Sequence, residues 1–257
     1  MSKMYPSKIF SITAIHGNGG GGFRFDLARP LFPNNINFYN PSLPGFNCNK
    51  TLSKKLTIKE YADWLADYLS DIPRPNILMG HGLGGVFVLE FLQNYSYLID
   101  GVILHSIVGA NLNKRIFPRL MKLPKVAFLI KNIIASSAFR PIISRKFFQT
   151  RINSNYEKLF FEAFGKCEVF ENMFQIINYS WFKSLSKIHL PTMFLWGEKD
   201  WILSPNEITE LQCLFQYSSK LIISNWDHFP MIDKPESYAF EITRIATDLA
   251  TKAHEKK

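Results

Sequence analysis

The chain has 257 residues, of which 47% are hydrophobic and 20% are charged, and its formal net charge is +9. This composition is typical of a globular protein with a large core, and it excludes a disordered chain, a coiled coil and a collagen-like repeat. The cysteines (Cys48, Cys167 and Cys213) show neither CxxC nor Cys/His spacing, so we expect no disulfide framework and no metal site. We find no targeting or transmembrane segment and expect a cytoplasmic protein.

Short runs of β-forming residues alternate with helical patterns along the chain. The predicted strands are Ile9–Ile15, Ile36–Asn40, Asn76–Met79, Gly101–His105, Thr192–Trp196 and Lys220–Ser224. The predicted helices include Thr57–Leu69, which opens with a Thr57/Glu60 capping box, Gly84–Gln93 and Pro235–Leu249. This alternation predicts an α/β fold, with a mainly parallel six-stranded sheet and helices on both faces.

The alternation stops between residues 111 and 187, where the pattern is helical throughout. We therefore divide the chain into a core, residues 1–110 and 188–257, and an inserted helical cap, residues 111–187. The insertion carries 14 Lys and Arg against four acidic residues, whereas the rest of the chain carries 16 against 17. One interpretation is a solvated helical surface. The other is attraction of an anionic partner, such as a charged small-molecule substrate, an acidic carrier protein or an anionic membrane surface. No nucleic-acid-binding motif accompanies the charge, so we expect no nucleic-acid partner.

Two glycine-rich loops match the pattern G-x-G-x-x-G. The matching glycines are Gly17, Gly19 and Gly22 after the first predicted strand, and Gly80, Gly82 and Gly85 after the third. A dinucleotide site also needs Asp or Glu at the end of the following strand, to bind the ribose. Those strands end at Tyr39–Asn40 and at His105–Ser106, so the carboxylate is missing from both. We therefore expect no nucleotide cofactor, and no other cofactor is indicated.

Four segments, in chain order, carry the motifs of one known family. They are His16-Gly17-Asn18-Gly19, Gly80-His81-Gly82-Leu83-Gly84, Gly197 to Pro205 and Asn225 to Pro230. They resemble the H-G-x-G oxyanion loop, the G-x-S-x-G nucleophile elbow, the acid loop and the histidine loop of α/β-hydrolases. The stretch Pro41 to Phe46 is also similar to a loop of that family. The resemblance covers the chain from about Ile9 to its end, and it implies the α/β-hydrolase fold with a helical cap.

The resemblance also implies the roles of individual residues. His228 would be the general base, and Asp200 would fix its tautomer. The backbone N–H groups of Asn18 and Leu83 would form the oxyanion hole. Gly82 stands where the family has its nucleophilic serine, so no acyl-enzyme can form there. Removing that nucleophile from a catalytic triad lowers the rate by a factor of about 10⁶, which argues against an ordinary serine hydrolase.

Three interpretations of Gly82 stay open. In the first, the protein resembles esterases and C–C hydrolases but uses a His–Asp dyad on a small apolar, acyl or anionic substrate. In the second, it is an inactive member that binds a ligand, in the manner of a receptor, because glycine tolerates the strained elbow conformation best. In the third, it is a serine hydrolase inactivated by a Ser-to-Gly substitution.

Other side chains near the predicted site offer alternative chemistry. Ser106 and Cys48 are candidate replacement nucleophiles, and His81 is a candidate accessory residue beside Gly82. Their ordinary interpretations are a hydroxyl bonded to the backbone, an inert loop thiol and a histidine that hydrogen-bonds a neighbour. The Phe and Ile residues of the insertion are expected to line an apolar pocket above the sheet.

Overall fold

One parallel sheet forms the centre of the molecule in this computed structural model, which describes residues 9–47, 49, 56–109, 115–123 and 125–254. Its strands are β1 (Phe10–Ile15), β2 (Ile36–Tyr39), β3 (Asn76–His81), β4 (Gly101–His105), β5 (Thr192–Gly197) and β6 (Ser218–Ile223). Their order is β2-β1-β3-β4-β5-β6, and all five neighbouring pairs are parallel. The α/β fold with a six-stranded sheet is therefore confirmed, and every strand end lies within two residues of the predicted one.

The register of the sheet brings the loops that follow the strands to one edge. Ile15 pairs with Gly80, His81 pairs with His105, and Gly197 pairs with Ile223. Because the strands are parallel, the segments after β1, β3, β5 and β6 all leave from this carboxyl edge. In open α/β sheets this edge is the usual place for a ligand.

Helices cover both faces of the sheet. The helices are α1 (Ile58–Ser70), α2 (Gly84–Asn94), α3 (Ile116–Met121), α4 (Val126–Ala135), α5 (Arg140–Phe147), α6 (Ser154–Gly165), α7 (Phe170–Ile176), α8 (Tyr179–Ser184), α9 (Thr209–Gln212), α10 (Pro230–Asp233) and α11 (Pro235–His254). Successive residues of β3 show the two faces, since side chains alternate along a strand. Met79 contacts Tyr238 of α11, whereas a β-carbon on Gly80 would press against Gly85 of α2.

Six helices, α3 to α8, lie in the chain between β4 and β5. Within this segment α4 packs against α5, α6 and α7, and α3 packs against α4. The expected boundary near residues 110–114 lies outside the described residues, so the division into core and cap stays a prediction. In the described part of the chain no single helix is long and apolar enough to cross a membrane. The bent pair Val126–Ala135 and Arg140–Phe147 meets that test together, across an angle of 95°.

Candidate functional site

The turn between β3 and α2 is a sharp elbow with Gly82 at its apex. Gly82 has φ +55°, a left-handed conformation that costs glycine little and other residues more. Its N–H donates to the carbonyl oxygen of His105 at 3.1 Å, and its own carbonyl oxygen accepts from Val108 at 3.2 Å. Backbone groups of β4 and of the residues just after it therefore fix the elbow, and the motif Gly80 to Gly84 forms the strand–turn–helix that it indicates.

Asp200 and His228 meet at the carboxyl edge of the sheet, although 28 residues separate them in the chain. The Nδ1–H of His228 donates to Oδ2 of Asp200 at 2.8 Å. The other oxygen of Asp200, Oδ1, accepts the backbone N–H groups of Ile202 and Leu203 at 3.0 and 2.8 Å. Burial tends to raise the pKa of Asp200, but the charge of His228 and these hydrogen bonds hold that pKa below its usual value. Asp200 is therefore an ionised acceptor that fixes the tautomer of His228.

The free nitrogen of His228 faces the elbow. A β-carbon on Gly82 would stand 3.7 Å from Nε2 of His228 and 3.6 Å from the α-carbon of Gly17. His81, next to Gly82, donates from Nε2 to the carbonyl oxygen of His228 at 2.9 Å, and so helps to fix the loop that carries His228. Burial and the neighbouring His228 lower the pKa of His81 well below its usual value, so its ring is neutral.

The loop after β1 completes this end of the site. His16 donates from Nδ1 to the carbonyl oxygen of Gly17 at 2.9 Å, and its Nε2 accepts the N–H of Leu43 at 3.0 Å. The H-G loop is thereby joined to the loop after β2. Among the described residues, the backbone N–H groups of Asn18 and Leu83 donate to no other backbone group. Both residues line the same pocket as Gly82 and His228.

That pocket has a volume of about 560 Å³ and lies between the elbow and the inserted helices. Gly17, Gly82 and His228 form its floor. Residues 115–177, between β4 and β5, supply 13 of the 24 described residues that line it, among them Ile130, Ile134, Ile143, Phe147, Phe164 and Phe170. The pocket is therefore overwhelmingly apolar, with His228 at one end. This is the environment expected from the Phe and Ile content of the insertion.

Sequence reasoning missed both arginines of the pocket lining, Arg24 and Arg115, and Arg24 is the buried one. It follows the glycine loop, it is only 2% exposed, and it lies beside Asn18. The sequence gives no sign of this burial, because an arginine shortly after a glycine loop is usually solvated. The stacked phenylalanines that cover it come from residues more than 130 positions away.

Neither candidate replacement nucleophile, Ser106 or Cys48, is found in the pocket lining of the described residues. Ser106 follows β4 with φ +46° and is fully buried; it is not part of the pocket lining. Its hydroxyl is near enough to Asp200 to help lower the pKa of that carboxyl, but it makes no hydrogen bond of normal geometry within the described part of the chain. Cys48 lies outside the described residues. No group of three or more His, Cys, Asp or Glu side chains in the described part of the chain is placed to hold a metal ion.

Comparison with known proteins agrees with this architecture. The alpha/beta hydrolase family profile matches residues 14–241. An epoxide hydrolase from Bacillus megaterium, in complex with an inhibitor, superimposes with a TM-score of 0.77 at 12% identity, covering 95% of this chain and 96% of that one. A thermophilic esterase from Thermogutta terrifontis gives a TM-score of 0.67 at 19% identity, covering 95% and 91%. At such identities the likeness shows the fold alone.

The fold and the profile together define the class: this is an α/β-hydrolase-fold protein, and the chain belongs to the alpha/beta hydrolase family. Its sequence is also 29% identical over 116 residues to uncharacterized proteins of Mycobacterium tuberculosis and Mycobacterium bovis. That match covers 44% of this chain and 34% of each relative, so the chain spans about a third of the length of these curated relatives.

Proposed function

We propose that the protein is an enzyme in which His228, oriented by Asp200, acts as a general base without a nucleophile from position 82. One observation carries the proposal: Nδ1 of His228 is held by Asp200, while Nε2 points at the apex of the elbow. A histidine held in this way accepts a proton at Nε2. A purely structural histidine does not need its free nitrogen to face a pocket.

The proposed chemistry follows from the absence of a side chain at Gly82. At position 82 there is room for a water molecule or a substrate C–H group where a serine hydroxyl would otherwise lie. In the hydrolytic case, Nε2 of His228 takes a proton from water as the water oxygen bonds to the substrate carbonyl carbon. The carbonyl oxygen becomes an oxyanion, and we assign its stabilisation to the N–H groups of Asn18 and Leu83. The proton on His228 then passes to the leaving group as its bond to carbon breaks.

The pocket indicates the kind of substrate. Its walls are apolar, and its volume of about 560 Å³ suits an acyl chain or a ring. We propose that the segment between β4 and β5 acts as the cap of this site, because residues 115–177 supply 13 of the 24 described residues that line it. The esterase and epoxide-hydrolase activities named for the structural neighbours are consistent with a small-molecule substrate of this type.

The test is turnover by the wild-type protein and by His228→Ala and Asp200→Asn, across esters, thioesters, lactones and C–C substrates. Both variants should lose turnover at least about 100-fold while they keep their circular dichroism spectra. His189→Ala is the matched control, since His189 is exposed and absent from the pocket lining. A wild-type protein without any turnover, whose ligand affinity changes little in these variants, would instead be a binding protein. The left-handed glycine without a nucleophile is the observation that favours this second candidate.

We also infer that the surface formed by α3, α4 and α5 docks on an anionic membrane. Residues 115–156 contain nine Lys and Arg and no Asp or Glu, and five of those cations are exposed: Arg119, Lys125, Arg145, Lys146 and Arg151. The same helices and their connections expose eight large apolar side chains, by 46% to 75%: Ile116, Phe117, Leu120, Leu123, Phe128, Leu129, Phe139 and Ile142. An acidic carrier protein would match the charge alone, whereas a bilayer matches both the charge and the apolar side chains. Sedimentation with lipid vesicles tests this partner.

A further inference from the structure

Arg24 is a buried cation in the wall of the candidate site. It lies in a single helical turn, Gly22–Phe25, directly after the glycine loop, and it lines the same pocket as Gly82 and His228. Its side chain folds back under the loop. A β-carbon on Gly20 would lie 2.5 Å from Nε of Arg24, so only glycine at position 20 admits the guanidinium. Within the run of glycines after β1, Gly20 therefore makes room for Arg24, whereas a β-carbon on Gly19 would meet Phe164 and one on Gly21 would meet Asn47.

The guanidinium has little to balance its charge. Among the described residues, the guanidinium makes one hydrogen bond, from Nη2 to the carbonyl oxygen of Asn18 at 3.2 Å. Its Nε has no hydrogen-bond partner there. No carboxylate of the described residues pairs with it. The guanidinium carbon lies 4.9, 5.6 and 5.3 Å from the ring centres of Phe160, Phe164 and Phe229, and this cation–π contact offsets part of the lost hydration. Burial lowers the pKa of Arg24 to about 10, so the group stays charged at neutral pH.

A buried charge without a partner is unfavourable, and natural proteins keep such groups paired. Here the missing partner has to come from outside the described chain. Asp200 is already engaged by His228 and by two backbone N–H groups. Since Arg24 faces the pocket, the partner that can reach it is a bound ligand. The other arginine in the pocket lining, Arg115, donates to the carbonyl oxygen of Ile202 at 2.7 Å and so has an internal acceptor.

We propose that Arg24 is the carboxylate-binding residue of this pocket, and that its ligand is a monocarboxylate with an apolar body. A planar guanidinium matches a carboxylate, and one buried guanidinium suits a single negative charge. The apolar walls of α4 to α7 take the rest of the ligand. If the protein is the proposed enzyme, this monocarboxylate is its substrate, and in that respect the proposal rests on the proposed function. Binding of the carboxylate by Arg24 does not itself require turnover.

The experiment compares two ligands that differ only in their head group, octanoate and 1-octanol, by isothermal titration calorimetry. The wild-type protein should bind octanoate about tenfold or more tightly than octanol, because charge-assisted hydrogen bonds are the strong ones. Arg24→Met should bring that ratio close to one and leave octanol affinity within about threefold. A role in folding alone would weaken both ligands together and would not change their ratio.

A matched control is Arg140→Met. This removes the same charge from another poorly exposed arginine, on α5, which does not line the pocket. Arg140→Met should keep the wild-type ratio of octanoate to octanol affinity.

A second variant covers the case in which Arg24→Met does not fold. Arg24→Gln retains an N–H donor for the carbonyl of Asn18 but removes the charge, and it should also lose the preference for octanoate.

The inference is wrong if wild-type protein does not prefer octanoate, or if the preference survives in both Arg24 variants. Binding to His228→Ala separates this result from the proposed function. There the octanoate preference should persist although turnover is lost. Turnover that survives in His228→Ala would contradict the proposed function. The ratio of octanoate to octanol affinity in wild type and in the Arg24 variants would still decide the role of Arg24.

Discussion

A β-carbon on Gly82 would stand 3.7 Å from Nε2 of His228, within reach of a hydroxyl carried on that carbon. The nearest backbone atom, the α-carbon of Gly17, would be 3.6 Å away, which is ordinary van der Waals contact. A small side chain therefore fits at this position, and the backbone conformation is its only obstacle. This relationship makes position 82 the most direct probe of the site.

We expect Gly82→Ser to have measurable esterase activity on short activated esters, with a burst of acyl-enzyme formation. The introduced hydroxyl completes a Ser–His–Asp arrangement whose other members are already 2.8 Å apart. The same change should lower the free energy of unfolding by about 1 kcal/mol, because serine is disfavoured at φ +55°. Stopped-flow ester hydrolysis and urea denaturation measure the two effects.

Labelling by a fluorophosphonate probe provides the control for this substitution. Wild-type protein should not be labelled, Gly82→Ser should be labelled at the new serine, and Gly82→Ser/His228→Ala should lose most of that labelling. A folded Gly82→Ser protein with neither burst nor labelling would show that His228 does not serve the elbow. Stoichiometric labelling of wild-type protein at Ser106 would instead identify that hydroxyl as a replacement nucleophile.

Acid should destabilise the protein through its buried histidines. Burial lowers the pKa values of His16 and His105 to about 3. A histidine with a depressed pKa in the folded state contributes stability above about pH 6.5, which is lost as the pH falls toward 3 because the unfolded chain takes up the proton first. Each of them can contribute up to about 1.4 kcal/mol per pH unit in this window. Urea denaturation at several pH values between 7.5 and 4.5 measures the slope.

His105→Leu isolates this effect. Neither ring nitrogen of His105 has a hydrogen-bond partner, so leucine leaves no group unpaired and should flatten the loss of stability below pH 6.5. The comparison with wild type is needed because Asp233 acts in the opposite direction. Burial and Asp227 raise the pKa of Asp233 to about 7, so its contribution falls as the pH rises from about 4 to 7. The exposed His189→Leu is the control, and an equal slope in His105→Leu and wild type would refute the assignment.

The start of α1 offers a local test of stability. The N–H of Glu60 donates to Oγ1 of Thr57 at 3.2 Å, and the N–H of Thr57 donates back to Oε2 of Glu60 at 2.8 Å. Thr57→Ala removes the first of these bonds and should cost about 1 kcal/mol of unfolding free energy. Thr57→Ser keeps the hydroxyl and should cost much less. Chemical denaturation that finds the two variants equally stable would show that the methyl group, and not the cap, matters.

The parts of the molecule that the sequence predicts depend on short-range patterns. Thr57 and Glu60 are three residues apart in the chain. The elbow is formed by the five consecutive residues Gly80 to Gly84. The arrangement of the candidate site is also accessible from the sequence, because parallel strands end at one edge and each motif follows a strand. His228 and Asp200 follow the neighbouring strands β6 and β5, so the strand order brings both to the same edge of the sheet.

The parts that the sequence does not predict depend on contacts between distant segments. Arg24 is buried because Phe160, Phe164 and Phe229 cover it, and neither their positions nor the path of Arg24 under Gly20 follows from local spacing. The ends of β6 differ from the predicted ones for a related reason. This strand lies at the edge of the sheet and its burial is mixed, so its hydrophobic pattern marks its limits poorly.

The surface of α3, α4 and α5 should bind vesicles of phosphatidylcholine that contain about one third phosphatidylglycerol. Binding should weaken as the salt concentration rises, because lysine and arginine near an anionic surface contribute about 1 kcal/mol each at low salt. Sedimentation of the protein with the vesicles measures the partition coefficient. Vesicles of phosphatidylcholine alone should bind it far less.

Two pairs of substitutions separate charge from apolar insertion at this surface. Phe128→Ala/Leu129→Ala removes two side chains that are 58% and 59% exposed, and it should weaken binding at least about tenfold at every salt concentration. Arg145→Glu/Lys146→Glu, on the exposed side of α5, should weaken binding mainly at low salt. The controls are Tyr97→Ala, which removes an exposed aromatic ring outside these helices, and Lys220→Glu on β6. If the charge pair abolishes binding and the apolar pair has no effect, the partner is recognised by charge alone, and an acidic protein replaces the membrane as the better candidate.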